Sequence, residues 1–181
     1  MVLELVADSP TDEELVRSAL AGHAGAFDRL VERHAARVFR IVRAQVEESV
    51  AEDLVQDTFL RAFVALPKFE FGARFSTWLF RIMLNETGQY LRKKARRHEL
   101  DARARQRAVP SEVSRDAAEA RELVWRALGD LPEEYRTALL LREWGQLSYA
   151  EIAQVLGCPV GTVDSRIARA RRMLAERLGP R

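Results

Sequence analysis

Apolar residues recur at helical spacing along most of the chain. Between about 24 and 46 they repeat at intervals of three and four residues, which predicts an amphipathic helix. A shorter helix is predicted before it, over about 11–21. Thr11 and Glu14 form the T-x-x-E pattern of a capping box at its start.

Two further helices follow in the first hundred residues. One is predicted over about 50–66 and ends at Pro67, and the next begins near Ser76 and runs into the basic segment RKKARR at 92–97. No convincing alternation of period two is found. The pattern therefore predicts an all-α protein.

A polar segment divides the chain into two small helical domains. Residues 98–118 contain few apolar side chains and include a proline, so they cannot bury enough surface to offset their ordering entropy. All eight phenylalanines precede this segment. The sequence predicts an N-terminal domain over 1–97, a linker over 98–118 and a C-terminal domain over 119–181.

The C-terminal domain has the pattern of a helix-turn-helix. Ser148 and Glu151 form a second capping box, at the start of a short helix over about 148–156. Gly157 follows where a helix cap needs positive φ, and Pro159 suits the start of the next helix. That second helix carries polar and mostly basic side chains outside a predicted buried stripe, which consists of Val163, Ile167, Ala170, Leu174 and Leu178. Such a helix pair can place side chains in the major groove of DNA.

Charge is distributed unevenly along the chain, although the net charge is only +2. Residues 1–60 carry six basic and twelve acidic side chains, whereas residues 61–100 carry nine basic and three acidic. Residues 151–181 carry six basic and three acidic side chains. Two basic regions separated by a linker suit an extended polyanion, because each Lys or Arg near a phosphate can release a counterion.

Several classes of protein are disfavoured by composition. The longest stretch without a charged side chain is the 12 residues of 152–163. A spanning helix needs roughly 18 or more apolar residues, so no membrane insertion is expected. The first residues lack the basic start of a secretory signal. Cys158 is the only cysteine, and the three histidines have no zinc-site spacing. We expect a cytoplasmic protein with no metal or cofactor, in which Cys158 is a packing residue.

Longer motifs identify a family. AEDLVQDTFLRAF at 51–63 and FSTWLFRIMLNETGQYLRKKARR at 75–97 resemble regions 2.2 and 2.3–2.4 of the extracytoplasmic function (ECF) sigma factors. LPEEYRTALLLREWGQLSYAEIAQVLGCPVGTVDSRIARARRML at 131–174 resembles region 4 of the same family. The resemblance implies a transcription initiation factor without catalysis of its own. Such a factor binds bacterial RNA polymerase core, directs it to promoters and assists DNA melting.

The resemblance implies a polymerase-docking patch on the third helix. Asp53, Gln56 and Asp57 lie at i, i+3 and i+4, so they share one exposed patch. In the family this patch docks a coiled coil of the largest polymerase subunit, which is rich in basic groups. The alternative is a solvated acidic helix start favoured by the helix dipole, which applies most to Asp53.

The loop 68–75 and the helix after it are assigned by the resemblance to the promoter's minus-ten element. Aromatic side chains can stack on bases exposed when DNA opens, basic side chains can contact phosphates, and an amide can hydrogen-bond a base edge. The candidates are Lys68, Phe69, Phe71, Arg74, Arg81, Asn85, Arg92 and Lys93. Phe75 and Trp78 are expected to be mostly buried. Gln89 stands where many relatives carry Asp, which leaves the preferred minus-ten sequence open.

The second helix of the helix-turn-helix is assigned to the minus-thirty-five element. The candidates are Thr162, Asp164, Ser165, Arg166 and Arg169. Arginine can donate two hydrogen bonds to guanine, while Ser and Thr commonly contact phosphate oxygens. Asp164 stands where relatives carry a basic residue. It could accept a hydrogen bond from cytosine or merely occupy the helix start.

Partners and alternatives follow from the same reading. Relatives are commonly held by an anti-sigma protein placed between the two domains, so such a partner is expected here. A dimeric helix-turn-helix repressor or activator is the alternative, and it would need an apolar seam in 11–46 and palindromic sites. A nucleic-acid-modifying enzyme is disfavoured, because residues 47–57 form no evident metal cluster with histidine and no phosphate-binding loop is present.

Overall fold

A computed structural model describes residues 9–102 and 117–179, with side chains over 9–97 and 123–179. Within these ranges the chain forms helices and no strand, which confirms the all-α prediction. The helices are α1 (Asp12–Leu20), α2 (Ala26–Arg43), α3 (Glu48–Ala65), α4 (Phe75–Ala102), α5 (Ala117–Gly129), α6 (Glu133–Glu143), α7 (Tyr149–Leu156) and α8 (Val160–Leu178). A single 3-10 turn, Leu66–Lys68, follows α3.

Helices α1 to α4 pack into an N-terminal unit. The predicted capping box starts α1, since the Thr11 hydroxyl accepts from the Glu14 N–H at 3.2 Å and the Glu14 carboxylate accepts from the Thr11 N–H at 2.7 Å. Helix α2 is shorter than predicted. It begins only after Gly25, whose φ of 78° is incompatible with a right-handed helix. The largest fully buried side chains of this unit include Phe75 and Phe80.

A buried histidine joins α1 to α2. His34 is 1% exposed, and its Nδ1 accepts from the Arg37 guanidinium at 2.8 Å. Its Nε2 therefore carries the proton and donates to the Asp12 carboxylate at 2.7 Å. The hydrogen bond with His34, helped by the nearby Arg33, lowers the pKa of Asp12 despite partial burial. This contact fixes α1 against the rest of the bundle.

Replacing Asp12 with alanine is expected to lower the free energy of unfolding by about 1–3 kcal/mol at neutral pH, because it leaves the buried His34 N–H without an acceptor. Asp12→Asn keeps an acceptor and should cost less. A lowered folded-state pKa contributes stability that is present above the ordinary value of 3.8 and lost as pH falls through the folded pKa. Urea unfolding should show the gap between wild type and Asp12→Asn narrowing below about pH 4. An Asp12→Ala variant as stable as wild type at neutral pH would contradict this role.

Helices α5 to α8 form the C-terminal unit, and the predicted helix-turn-helix is present. The Ser148 hydroxyl accepts from the Glu151 N–H at 3.3 Å, and the Glu151 carboxylate accepts from the Ser148 N–H at 2.7 Å. Gly157 has φ 63° and turns the chain into α8. Val163, Ile167 and Ala170 are buried as predicted, but Leu178 is 38% exposed. The buried stripe of α8 is therefore shorter than its sequence pattern indicated.

The two units contact each other through α4 and α7, and α2 also touches α6. The Cζ of Arg43, at the end of α2, lies 5.4 Å from the ring centroid of Trp125 on α5. Helix α4 continues through 98–102, the first residues of the predicted linker, and most of that segment lies outside the described residues. The domain boundaries stay a prediction.

Candidate nucleic-acid interface

The predicted acidic patch lies exposed on α3. Asp53, Gln56 and Asp57 all face solvent at consecutive turns of the helix. Leu60 and Val64, two exposed apolar side chains that the sequence analysis did not include, extend the patch toward the end of α3 beside the exposed Phe63. Helical spacing in the sequence could have indicated both, because positions 53, 56, 57, 60 and 64 share one helical face. We call Asp53, Gln56, Asp57, Leu60, Phe63 and Val64 the α3 docking face.

An apolar groove of about 1030 Å³ runs between α2 and α3 beside the α3 docking face. Phe27 packs edge-on against Phe63 at its rim, with ring centroids 5.1 Å apart. Its other aromatic walls are Phe39 and Phe59. A groove of this kind beside acidic side chains suits a helical partner that presents apolar and basic groups together.

The loop between α3 and α4 contains one buried and one accessible phenylalanine. Phe69 is 6% exposed, and its ring lies 5.3 Å from the Trp78 ring and 5.1 Å from the Phe71 ring. A base cannot stack on Phe69 without opening this cluster, so its place is in the core rather than among the stacking candidates. Phe71 is 47% exposed, with the Arg17 guanidinium 4.8 Å from its ring centroid. Phe71 is thus the accessible aromatic of the loop.

The two aromatic residues expected to be buried are in the core as predicted, although to different degrees. Phe75 is fully buried and Trp78 is half-buried. Their rings lie 5.7 Å apart, and His34 packs on Phe75 from the opposite helix at 5.4 Å. This aromatic cluster anchors both ends of the 68–75 loop.

The polar minus-ten candidates are all exposed. Arg81, Asn85 and Arg92 share one face of α4, because they are separated by four and seven residues. The remaining exposed candidates are Lys68 and Arg74 in the loop and Lys93 beside Arg92. This distribution gives α4 a basic face that continues into the loop.

A buried carboxylate lies beside this face and was not predicted. Glu86 is buried, and its Oε2 lies 2.7 Å from Nε of Arg61 on α3. The pair lines a groove of about 600 Å³ together with Asn85 and Gln89. Arg61 neutralises the Glu86 carboxylate, whose negative charge would otherwise lie beside side chains of α4 that are candidates for contacts with DNA. Sequence spacing carried no signal for this pair, because its two members lie on different helices.

On α8, three of the five minus-thirty-five candidates are exposed: Asp164, Ser165 and Arg169. The Ser165 hydroxyl donates to the Thr162 carbonyl at 2.9 Å, and Thr162 is half-buried. Arg166 is turned toward α6, where its guanidinium lies 3.1 Å from the Glu134 carboxylate, and it also lies 3.9 Å from the sulfur of Cys158 in the turn before α8. Arg169 is therefore the most accessible arginine among the candidates.

Metal and membrane features are not found in the part of the chain that the structure describes. No three His, Cys, Asp or Glu side chains of 9–97 and 123–179 cluster as metal ligands. No described helix is long and apolar enough to cross a membrane.

Comparison with known proteins places both units in one family. Residues 30–97 match the model of sigma-70 region 2, and residues 121–174 match that of sigma-70 region 4. The chain is 37% identical to the ECF RNA polymerase sigma-E factor of Escherichia coli K12 over 94% of this chain and 95% of the relative. It is 33% identical to the sigma-E factor of Haemophilus influenzae over 97% and 99% of the two chains.

Two solved structures match both units. CnrH, in complex with the cytosolic domain of CnrY, superposes with a TM-score of 0.74 at 32% identity, covering 92% of this chain and 96% of that one. The sigma factor RpoE of Bartonella quintana, in complex with the anti-sigma factor NepR, gives a TM-score of 0.73 at 28% identity, covering 86% and 98%. With sigma-70 region 2 in its N-terminal unit and region 4 in its C-terminal unit, this chain belongs to the ECF family of RNA polymerase sigma factors.

Proposed function

We propose that this sigma factor binds RNA polymerase core through the α3 docking face and reads two promoter elements with separate units. The observation that carries the proposal is the presence of both surfaces in one chain, an acidic and apolar face on α3 and basic faces on α4 and α8. Its N-terminal half matches sigma-70 region 2, so a dimeric repressor is not favoured. The factor would act in the cytoplasm, beside the polymerase, and would supply no catalytic group.

The N-terminal unit would hold the opened minus-ten element. Exposing bases costs a few kcal/mol per unstacked base, and a factor without ATP hydrolysis must recover that cost by binding them. Phe71 offers the stacking surface, Asn85 a hydrogen-bonding amide, and Lys68, Arg74, Arg81, Arg92 and Lys93 offer phosphate contacts. The buried ring of Phe69 supports the loop from below.

The C-terminal unit would read the minus-thirty-five element with the exposed face of α8. Arg169 is the candidate for a base contact, and Ser165 and Thr162 are candidates for phosphate contacts. Asp164, exposed in the first turns, can accept from a cytosine amino group. Arg166 contributes to this surface only after leaving Glu134.

An anti-sigma protein is the proposed regulator. The solved relatives CnrH and RpoE are each bound to a partner, CnrY and NepR respectively. In this chain the apolar groove beside α3 and the exposed Leu123 and Val124 on α5 offer surfaces for such a partner. Co-purification with a protein encoded beside this chain would identify it.

Reconstitution with polymerase core tests the proposal directly. Core enzyme plus this chain, supplied with fragmented genomic DNA, should yield transcripts whose starts follow two shared sequence elements at constant spacing. Core alone should not. Absence of promoter-specific transcripts, together with a stable symmetric homodimer in sedimentation, would refute it.

Replacing Arg169 with alanine should weaken use of promoters that depend on the upstream element by about 1–3 kcal/mol if this arginine reads a base. Selection of binding sites should then show relaxed preference at one position. Arg172→Ala is the matched control, because Arg172 is also exposed on α8, three residues further along, and we expect it to contact the DNA backbone rather than a base. It should weaken all sites equally. Equal behaviour of the two variants would remove the base-reading role of Arg169.

A further inference from the structure

An arginine of α1, outside the minus-ten candidates, lies over the accessible ring of the loop between α3 and α4. Cζ of Arg17, in the last turn of α1, is 4.8 Å from the ring centroid of Phe71. The contact places a positive charge beside the one ring of this loop that is open to a base. Helix α1 therefore reaches the surface assigned to the minus-ten element.

The rotation of α1 is set by its buried side, and this directs Arg17 away from the core. Leu15 and Val16 are 3% and 0% exposed and pack in the core of the N-terminal unit. The hydrogen bond between Asp12 and His34 holds the start of the same helix. Helix α1 also contacts the 3-10 turn and α4, the two elements that the loop connects. The guanidinium is thus carried to the loop by a helix whose position the rest of the bundle determines.

The guanidinium of Arg17 has no carboxylate partner among the described residues. Glu14 lies one turn before it, but the Glu14 carboxylate accepts from the N–H and the hydroxyl of Thr11 in the capping box, at 2.7 and 3.0 Å. A guanidinium that lies over a ring makes this contact through its charge, and its N–H donors stay available for an oxygen acceptor. Arg17 can therefore bind a phosphate without giving up an internal ion pair.

The ring of Phe71 keeps room for a base while the guanidinium is in place. Phe71 is 47% exposed in the presence of Arg17, and its contact with Phe69 is edge-on, with ring planes at 72°. One sugar joins a base to its phosphate, so a base on the exposed part of the ring brings that phosphate close to the guanidinium. We propose that Arg17 and Phe71 form one capture point for a single extruded nucleotide of the minus-ten element, in which the ring stacks on the base and the guanidinium contacts the phosphate. This inference rests on the proposed function of the loop, and it extends the DNA-binding surface to α1.

Modified single-stranded oligonucleotides separate the contribution of the base from that of the phosphate. The oligonucleotide carries the minus-ten sequence defined by transcription with core and this chain, and each nucleotide is replaced in turn by an abasic residue or given a neutral methylphosphonate linkage. Binding is measured to core with the full chain, and core alone gives the background. We expect one position at which removal of the base weakens binding by about 5- to 150-fold. A neutral linkage at that nucleotide should weaken binding about tenfold.

Variants of the two residues should each remove one of these effects. In Phe71→Ala the abasic residue at that position should cause no further loss, and in Arg17→Gln the neutral linkage should cause none. Arg17→Gln should also reduce the slope of log affinity against log salt by about 0.7, the contribution of one phosphate contact on a single strand. Arg40→Gln is the matched control, because it removes the same charge at an exposed position of α2 that is not a DNA-binding candidate. It should keep both effects.

A purely structural role of Arg17 predicts a different pattern. If Arg17 only supported the ring, Arg17→Gln would reduce the effect of the abasic residue and keep full sensitivity to the neutral linkage. That result, or equal behaviour of Arg17→Gln and Arg40→Gln, would overturn the proposal while leaving base stacking by Phe71 in place. If no position of the oligonucleotide depended on Phe71, the proposed function of the loop would be refuted together with this inference, so the two failures are distinguishable.

Discussion

Reversing the charge at both Asp53 and Asp57, as Asp53→Lys with Asp57→Lys, is expected to abolish promoter-directed transcription while the fold stays intact. The α3 docking face would meet a basic coiled coil, and placing like charges across an interface costs several kcal/mol. A loss of about 3 kcal/mol or more corresponds to over 100-fold weaker binding to core. Binding of labelled factor to purified core, followed by a run-off transcription assay, gives both quantities.

The fold should tolerate these changes, because both aspartates are exposed on α3 and form no ion pair within the described part of the chain. The matched control is Glu32→Lys with Glu176→Lys, which changes the net charge equally at exposed positions on α2 and α8. Only the first pair should lose core binding. If both pairs weakened binding alike, a general electrostatic effect would replace the docking face as the explanation.

Local signals in the sequence predicted the helix-turn-helix and the helix starts. The two capping boxes and the glycine at 157 act through backbone geometry within a few residues, so a single sequence specifies them. The acidic patch on α3 was predictable for the same reason, since helical spacing alone places its members on one face.

Packing across helices was not predictable in the same way. The loop sequence does not show which of Phe69 and Phe71 turns inward, because the answer depends on Trp78 and Phe75 lying beneath Phe69. The contact between Arg81 and α7 uses a backbone carbonyl 73 residues away, which no side-chain pattern encodes. The pairing of Arg61 with Glu86 likewise depends on how α3 crosses α4.

Replacing Phe75 with alanine is expected to have the largest effect on stability in the N-terminal unit. Phe75 is fully buried between His34, Phe69 and Trp78. Removing a buried ring costs about 3–5 kcal/mol, through lost burial and the cavity left behind. Domains of this size are stable by only about 5–15 kcal/mol, so urea unfolding should show a severely weakened protein.

The comparison with Phe71→Ala separates support of the loop from contact with DNA. Phe71 is half-exposed, so its loss should cost less than about 1 kcal/mol of stability and yet reduce promoter opening, since stacking of one base is worth about 1–3 kcal/mol.

Phe75→Leu, which keeps most of the buried volume, should retain the fold and show whether a slightly loosened loop still opens DNA. Transcription should be compared between duplex templates and templates already unpaired at the minus-ten element. The difference between the two isolates the contribution of base stacking to promoter opening. A template that is already open needs no melting, so it should restore transcription by Phe71→Ala but not by Phe75→Ala. Rescue of both variants, or of neither, would contradict the assignment of Phe71 to DNA opening and of Phe75 to support of the loop.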